Sequence, residues 1–223
     1  MLFFVALLLP ISKAWGQHVS YSPFMHYTDR VNEFEKMRAV DSTDVVMLGN
    51  SLTEFGGDWS KLLRAYHVRN RGIAGDDANG IYQRLSQILP GKPKAIFLMV
   101  GINDIANGLS IDEVASRCER VIAKIRHDSP QTKLYVQSLL PINESFGRWT
   151  KLNGKTEWVP QLNARLRAYC KKKGIGYINL FPFFVRHGSH EMRKELTADG
   201  LHLTPQGYKE WGFVLKKYIV ALS

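Results

Sequence analysis

The sequence predicts an α/β fold, with a parallel sheet held between two layers of helices. Three observations carry this. Short apolar runs alternate along the chain with segments whose apolar residues recur at helical spacing. The runs are Val/Ile/Leu-rich rather than alternating, as expected for strands covered on both faces. No repeat, low-complexity tract or linker interrupts the 223 residues, a length that suits one domain. Regular β-α alternation implies right-handed crossovers and a parallel sheet. In such sheets the working groups gather beyond the carboxyl ends of the strands.

The chain opens on "MLFFVALLLPISKAWGQ", an apolar core at Leu2–Ile11 followed by Ala14-Trp15-Gly16. Small residues at that place are what a signal peptidase reads. The reading is a signal peptide over residues 1–16, an exported protein (periplasmic or secreted) and a domain over residues 17–223. The segment before the apolar core has no Lys or Arg, which departs from the usual pattern. Pro10 and the lack of polar alternation argue against a buried first strand or helix. No later stretch is long and apolar enough to span a bilayer, so no stable membrane insertion is expected.

A helix follows at about Tyr27–Val40. The apolar runs are Asp44–Ser51, Val68–Ile73, Lys94–Gly101, Lys133–Leu140 and Ile175–Phe181. Between them, Ile111–Arg126 sets Ile111, Val114, Ala115, Cys118, Val121, Ile122 and Ile125 on one helical stripe. Trp158–Lys173 and Pro205–Ile219 behave similarly, the latter with Thr204 as cap and Pro205 at the first helical position.

Composition is ordinary for a globular protein, 45% hydrophobic and 22% charged. The net charge of +10 invites a nucleic-acid reading. The basic residues are scattered, however, and Lys171-Lys172-Lys173 closes a helix, where cations complement the dipole. No zinc spacing, RNA-binding aromatic motif or basic helix accompanies them. A solvated surface attracted to acidic glycans or lipid heads is the better reading, and no nucleic-acid partner is expected. Cys118 and Cys170 lie on apolar helix faces; they can pair in an oxidising compartment or serve as small buried hydrophobes.

Strand ends carry the chemistry. After the first strand comes Ser51 in "GNSLTE", which either caps the next helix or reacts. "NRGIAGDD" follows the second strand, with Gly72 and Gly75 permitting close backbone approach. "MVGINDIANG" follows the third and brings Asn103 and Asp104. Each has a plain alternative as a turn or cap residue. Near the carboxyl terminus, "ELTADGLHLTPQGY" sets Asp199 and His202 three residues apart in a loop. Such a carboxylate can fix the imidazole tautomer, leaving the other nitrogen to take a hydroxyl proton. None of the other six histidines is so paired at a strand-end loop.

These four blocks, in this order, resemble the SGNH, or GDSL-type, hydrolases, most closely their acetylhydrolase-like and carbohydrate acetylesterase members. "GNSLTE" is similar to the nucleophile block, "NRGIAG" to the glycine block, "GINDI" to the Gly-x-Asn-Asp block and "DGLHL" to the Asp-x-x-His block. The likeness covers about Asp41 to the end of the chain. It implies a three-layer α/β/α sandwich, flavodoxin-like, with strand order 2-1-3-4-5. It implies Ser51 as nucleophile, His202 as base and Asp199 as its orienter. Its oxyanion hole would be the N–H groups of Ser51 and Gly72 with the Asn103 side chain. No metal or cofactor is implied. Asn50 stands where the family's name-giving motif has Asp. The absence of Gly-x-Ser-x-Gly disfavours a lipase-type α/β-hydrolase.

The reaction implied is two-step ester hydrolysis through an acyl-enzyme. Export and the family likeness favour removal of small acyl groups, acetyl above all, from a carbohydrate. A lysophospholipid or other lipid ester is the enzymatic alternative, and a glycan-binding protein without chemistry the rival from another class. For substrate binding the candidates are Asp76, Trp149 and Trp158. Asp76 either borders the cleft or, with Asp77 and Asn79, caps the next helix. The two tryptophans lie in the long segment Pro141–Trp158, where they either line the pocket or anchor the loop.

Overall fold

The computed structural model describes residues 23–222, so the leader expected at residues 1–16 lies outside the described residues. The elements run in the order α1 (Pro23–Lys36), β1 (Val45–Gly49), α2 (Ser51–Glu54), α3 (Trp59–Leu63), β2 (Val68–Gly72), α4 (Ala78–Gln83) and β3 (Ala95–Leu98). They continue with α5 (Ile102–Ala106), α6 (Ile111–Asp128), β4 (Lys133–Gln137), α7 (Trp158–Lys173), β5 (Gly176–Ile178), α8 (Phe181–Phe184) and α9 (Pro205–Val220). All strand pairs are parallel and their order is β2-β1-β3-β4-β5. This is the sheet expected from the sequence.

Strand periodicity divides the core in two. Val46, Leu48, Ile96 and Leu98 point to one face, where α4, α6 and α7 supply Ile81, Val121, Ile122 and Leu166. Val45, Met47 and Phe97 point to the other, covered by Trp59 and Leu63 of α3 and by Trp211 and Leu215 of α9. Central strands β1 and β3 are wholly buried. The expectation of doubly covered, aliphatic strands fails at the edges. β2 reads Val-Arg-Asn-Arg-Gly, half-buried in its middle, because it has a neighbour on one side only.

The first helix also differs from the expected Tyr27–Val40. It starts and stops four residues earlier. Beyond it, Arg38 pairs with Asp41 and with the buried Asp44, an arrangement that turns the chain toward β1. Val40 is buried as a core anchor outside the helix. Both cysteines are buried and free. Among the described residues no helix is long and apolar enough to cross a membrane.

Candidate active site

Helix α2 is only four residues long and carries Ser51 at its first position. Capping falls to its neighbour: the Asn50 side chain accepts from Leu52 N–H at 3.1 Å. Ser51 is therefore free of the structural role its sequence position allowed. So short a helix satisfies its carbonyls only in part within itself, and further donors come from outside. Tyr208 donates to the Leu52 carbonyl at 2.9 Å, the Trp59 indole to Thr53 at 2.9 Å and Asn70 to Glu54 at 2.9 Å. These bonds fix the direction in which Ser51 points.

Ser51 is 6% exposed, and its Oγ lies 2.9 Å from His202 Nε2. The other ring nitrogen of His202 lies 2.8 Å from Asp199 Oδ2. Because a carboxylate only accepts, Nδ1 carries the proton and Nε2 is left as the acceptor for the Ser51 hydroxyl. Asp199 is itself anchored: Oδ1 accepts from the N–H groups of His202 at 2.7 Å and Leu201 at 3.0 Å. Burial by itself would raise the Asp199 pKa. The bonds from the His202 ring and from the two N–H groups outweigh it and hold the carboxyl below its ordinary value. The pair that sequence spacing suggested is thus a continuous Ser-His-Asp line across 151 residues of chain.

Asn103, in α5, donates from Nδ2 to the Asp76 carbonyl at 2.8 Å, which leaves its second amide hydrogen free. Gly72 does not match its expected part. Its N–H is already bonded to Asn70 Oδ1 at 2.9 Å. What Gly72 does is allow close approach: a Cβ there would stand 2.1 Å from the Glu54 nitrogen, inside α2. Three residues on, Gly75 has φ +83°, a conformation suited to glycine, and its N–H has no partner among the described residues. It lies between Ala74, whose N–H donates to Glu54 at 2.5 Å, and Asp76, whose carbonyl holds Asn103. The sequence signal was the second glycine of "NRGIAGDD", set past the strand end rather than inside the strand.

Of the expected binding residues, Trp149 is at the site. Its ring centroid lies 4.9 Å from that of His202, edge-on, and the residue is 41% exposed. The long segment is pinned beside the histidine loop by Asn143, whose N–H donates to the Gly200 carbonyl at 2.7 Å. Trp158 is not at the site: it begins α7, half-buried, with Lys155 Nζ 3.2 Å from its ring centroid. Asp76 is not in the cleft either. Its carboxylate is buried against Arg84 Nε at 2.8 Å, and Arg84 also donates to the carbonyls of Arg71 at 2.8 Å and Gly49 at 2.9 Å. Phe55, unremarked in the sequence, is 52% exposed with its ring centroid 5.2 Å from that of His202. Phe55 and Trp149 both flank the imidazole.

Behind the site runs a tight crevice lined by Leu52, Ile102, Leu139, Leu140 and Leu201, with no room for a free water molecule. Leu52, Ile102 and Leu201 are the chain neighbours of Ser51, Asn103 and His202. Among the described residues, no cluster of His, Cys, Asp or Glu has a metal-binding arrangement.

Known proteins share this architecture. A solved GDSL-like lipase from Bacteroides thetaiotaomicron superposes with a TM-score of 0.77 at 22% identity, covering 90% of this chain and 100% of that one. Platelet-activating factor acetylhydrolase IB subunit alpha2 of Rattus norvegicus is 28% identical over 170 residues, 74% of this chain and 71% of that protein. N-acylneuraminate cytidylyltransferase of Streptococcus agalactiae is 24% identical over 161 residues, 72% of this chain but 35% of that protein. Residues 47–210, which run from the middle of β1 through β5 and hold the whole Ser-His-Asp line, match the family model of GDSL-like lipases and acylhydrolases. By that match over most of its length, the chain belongs to the GDSL-like lipase/acylhydrolase family, and it is an ester hydrolase.

Proposed function

We propose that the protein is a serine esterase that removes short acyl groups, acetyl in particular, from a carbohydrate. The observation that carries the mechanism is the Ser51–His202–Asp199 line, with 2.9 Å and 2.8 Å links. His202 Nε2 takes the Ser51 hydroxyl proton as Oγ bonds to the ester carbonyl carbon. The tetrahedral oxyanion is held by the Ser51 N–H, the free Asn103 amide hydrogen and the Gly75 N–H, the last in place of Gly72. Collapse breaks the bond to the alcohol oxygen, which leaves with the proton from His202. Water then attacks the acyl-enzyme, giving its proton to His202, and Ser51 is released with that proton returned. Asp199 stays ionised and stabilises the imidazolium.

Short acyl selectivity is supported by the burial of Ser51, 6% exposed, and by the likeness to a protein named as an acetylhydrolase. A sugar as the alcohol part is supported by Phe55 and Trp149, exposed rings that flank the His202 imidazole. A relative named for N-acylneuraminate, an acidic sugar, adds to this. One observation favours a second reading: the relative named for platelet-activating factor suggests an acetyl ester on a lipid alcohol. Export also belongs to the proposal; it predicts an exported protein whose first residue by mass spectrometry is Gln17.

Hydrolysis of 4-nitrophenyl esters of increasing chain length, by wild type and Ser51→Ala, tests the mechanism. Acetate is expected to be the best substrate, and Ser51→Ala to lose roughly 10⁴–10⁶-fold in kcat. Equal activity in both proteins would remove Ser51 as nucleophile. Rates that rise with chain length would overturn the short-acyl assignment. Acetylated sugars compared with acetylated lysophospholipids decide the alcohol part.

A further inference from the structure

Phe55 borders a second feature. With Arg30, Arg69, Arg71, Glu54 and Met37 it lines an open groove that runs along α2 and the edge strand β2. Most charges there are matched. Arg69 Nε lies 3.0 Å from Asp44, and Arg30 pairs with Glu33 and with Glu54. Glu54 is further met by His26 Nε2 at 3.0 Å and by Ala74 N–H.

Arg71 is the exception. It is 2% exposed, yet among the described residues it has no carboxylate partner. Its Nη1 reaches only the Met37 sulfur, at 3.4 Å, and its Nε is buried with no hydrogen bond. The guanidinium lies 4.6 Å over the Phe34 ring, which attracts the cation but accepts none of its in-plane N–H groups. Burial first, then the neighbouring Arg69 and Arg84, push its pKa down to about 10, so it is still charged at neutral pH. Buried polar groups are normally bonded, and a buried charge is costly unless it is paired. An unmatched guanidinium fork is also the group best shaped for a carboxylate or phosphate.

We propose that this groove is an anion subsite, in which Arg71 takes a carboxylate or phosphate carried by the alcohol part of the ester. Phe55 joins the two places: it lines the groove, and its ring centroid lies 5.2 Å from that of His202. The proposal rests on the ester-hydrolase reading of Ser51 and narrows its substrate to anionic esters, such as those of sugar acids.

The test compares kcat/KM for acetylated glucuronic acid and acetylated glucose, with 4-nitrophenyl acetate as the control for esterase activity. Wild type is expected to favour the acid by about tenfold or more at low salt, a ratio that shrinks as salt is added. Arg71→Met is expected to bring the ratio near one, and Arg71→Lys to keep part of it. Since the ratio is read within each protein, loss of folded material does not affect it. Inorganic phosphate is expected to raise the wild-type melting temperature and to compete with the acidic ester. A wild-type ratio near one, or a ratio unchanged in Arg71→Met, overturns the subsite while leaving the esterase standing. Phosphate that stabilises without competing also overturns it, by placing the anion apart from the substrate. No turnover of 4-nitrophenyl acetate would remove the esterase reading and the subsite with it.

Discussion

Asp104 sits beside Asn103 in the sequence but has a different fate. Its Oδ2 accepts from Ala78 N–H at 3.0 Å, its Oδ1 is buried without a hydrogen bond, and Arg117 stays 3.8 Å away. Burial raises its pKa to about 6. Between the ordinary carboxylate value and about 6, the folded protein keeps a proton that the unfolded chain has released, so stability falls as pH rises through that window. Asp104→Asn removes the charge and keeps the bond from Ala78. Its stability relative to wild type is expected to grow by on the order of 2 kcal/mol from near pH 4 to near pH 8, read as urea midpoints. A pH-independent difference would rule the titration out. The residue scale is also where sequence reading did best and worst. The contacts of Ser51, His202 and Asp199 were legible because these residues stand in short local blocks. Trp158 and Asp76 were not, since an exposed ring and a packed ring, or a cleft carboxylate and a paired one, look alike in sequence.

Among the elements, the closest fit is that of α2 on β2, and it depends on Gly72. Gly72→Ala drives a methyl group against the Glu54 nitrogen. It is expected to cost about 1–3 kcal/mol in stability and to lower kcat, because the displaced helix carries Ser51. An alanine variant that melts and turns over as wild type does would show the contact to be slack. Ser110 offers the contrast. It caps α6 through a bond from Glu113 N–H, at an exposed position far along the chain from Ser51 and His202. Ser110→Ala is expected to lose about 1 kcal/mol of stability with kcat unchanged. Helices α6, α7 and α9 were legible to within two residues because each buries one long apolar stripe. β2 was harder to read, since an edge strand needs less apolar sequence, and α1 was offset because its end is set by the Arg38 pairs.

Across the whole molecule, one buried side chain ties the parts of the site together. Arg84 joins the carbonyl ends of β1 and β2 to the loop that holds Asn103. Burial raises the Asp76 carboxyl to about 6 against the pull of Arg84, and it is ionised at neutral pH. Arg84→Met leaves that carboxylate unpaired and removes one donor each from the carbonyls of Arg71 and Gly49. A loss of about 3–5 kcal/mol in denaturant titration is expected, and a loss below 1 kcal/mol would mean that the tie is redundant.

The sequence alone determined the parallel α/β sheet, the order of its elements, the family resemblance and the identity of the Ser, His and Asp. Those properties follow from hydrophobic periodicity and from short blocks, both of which are written locally along the chain. The tertiary structure decided what the remaining groups do. It bonded the Gly72 N–H to Asn70 and left that of Gly75 free. It set Phe55 and Trp149 beside His202, buried Asp76 against Arg84 and, among the described residues, left Arg71 without an anion. Each of these depends on which groups from distant segments compete for one donor, one acceptor or one charge. Only the packed chain brings those competitors together.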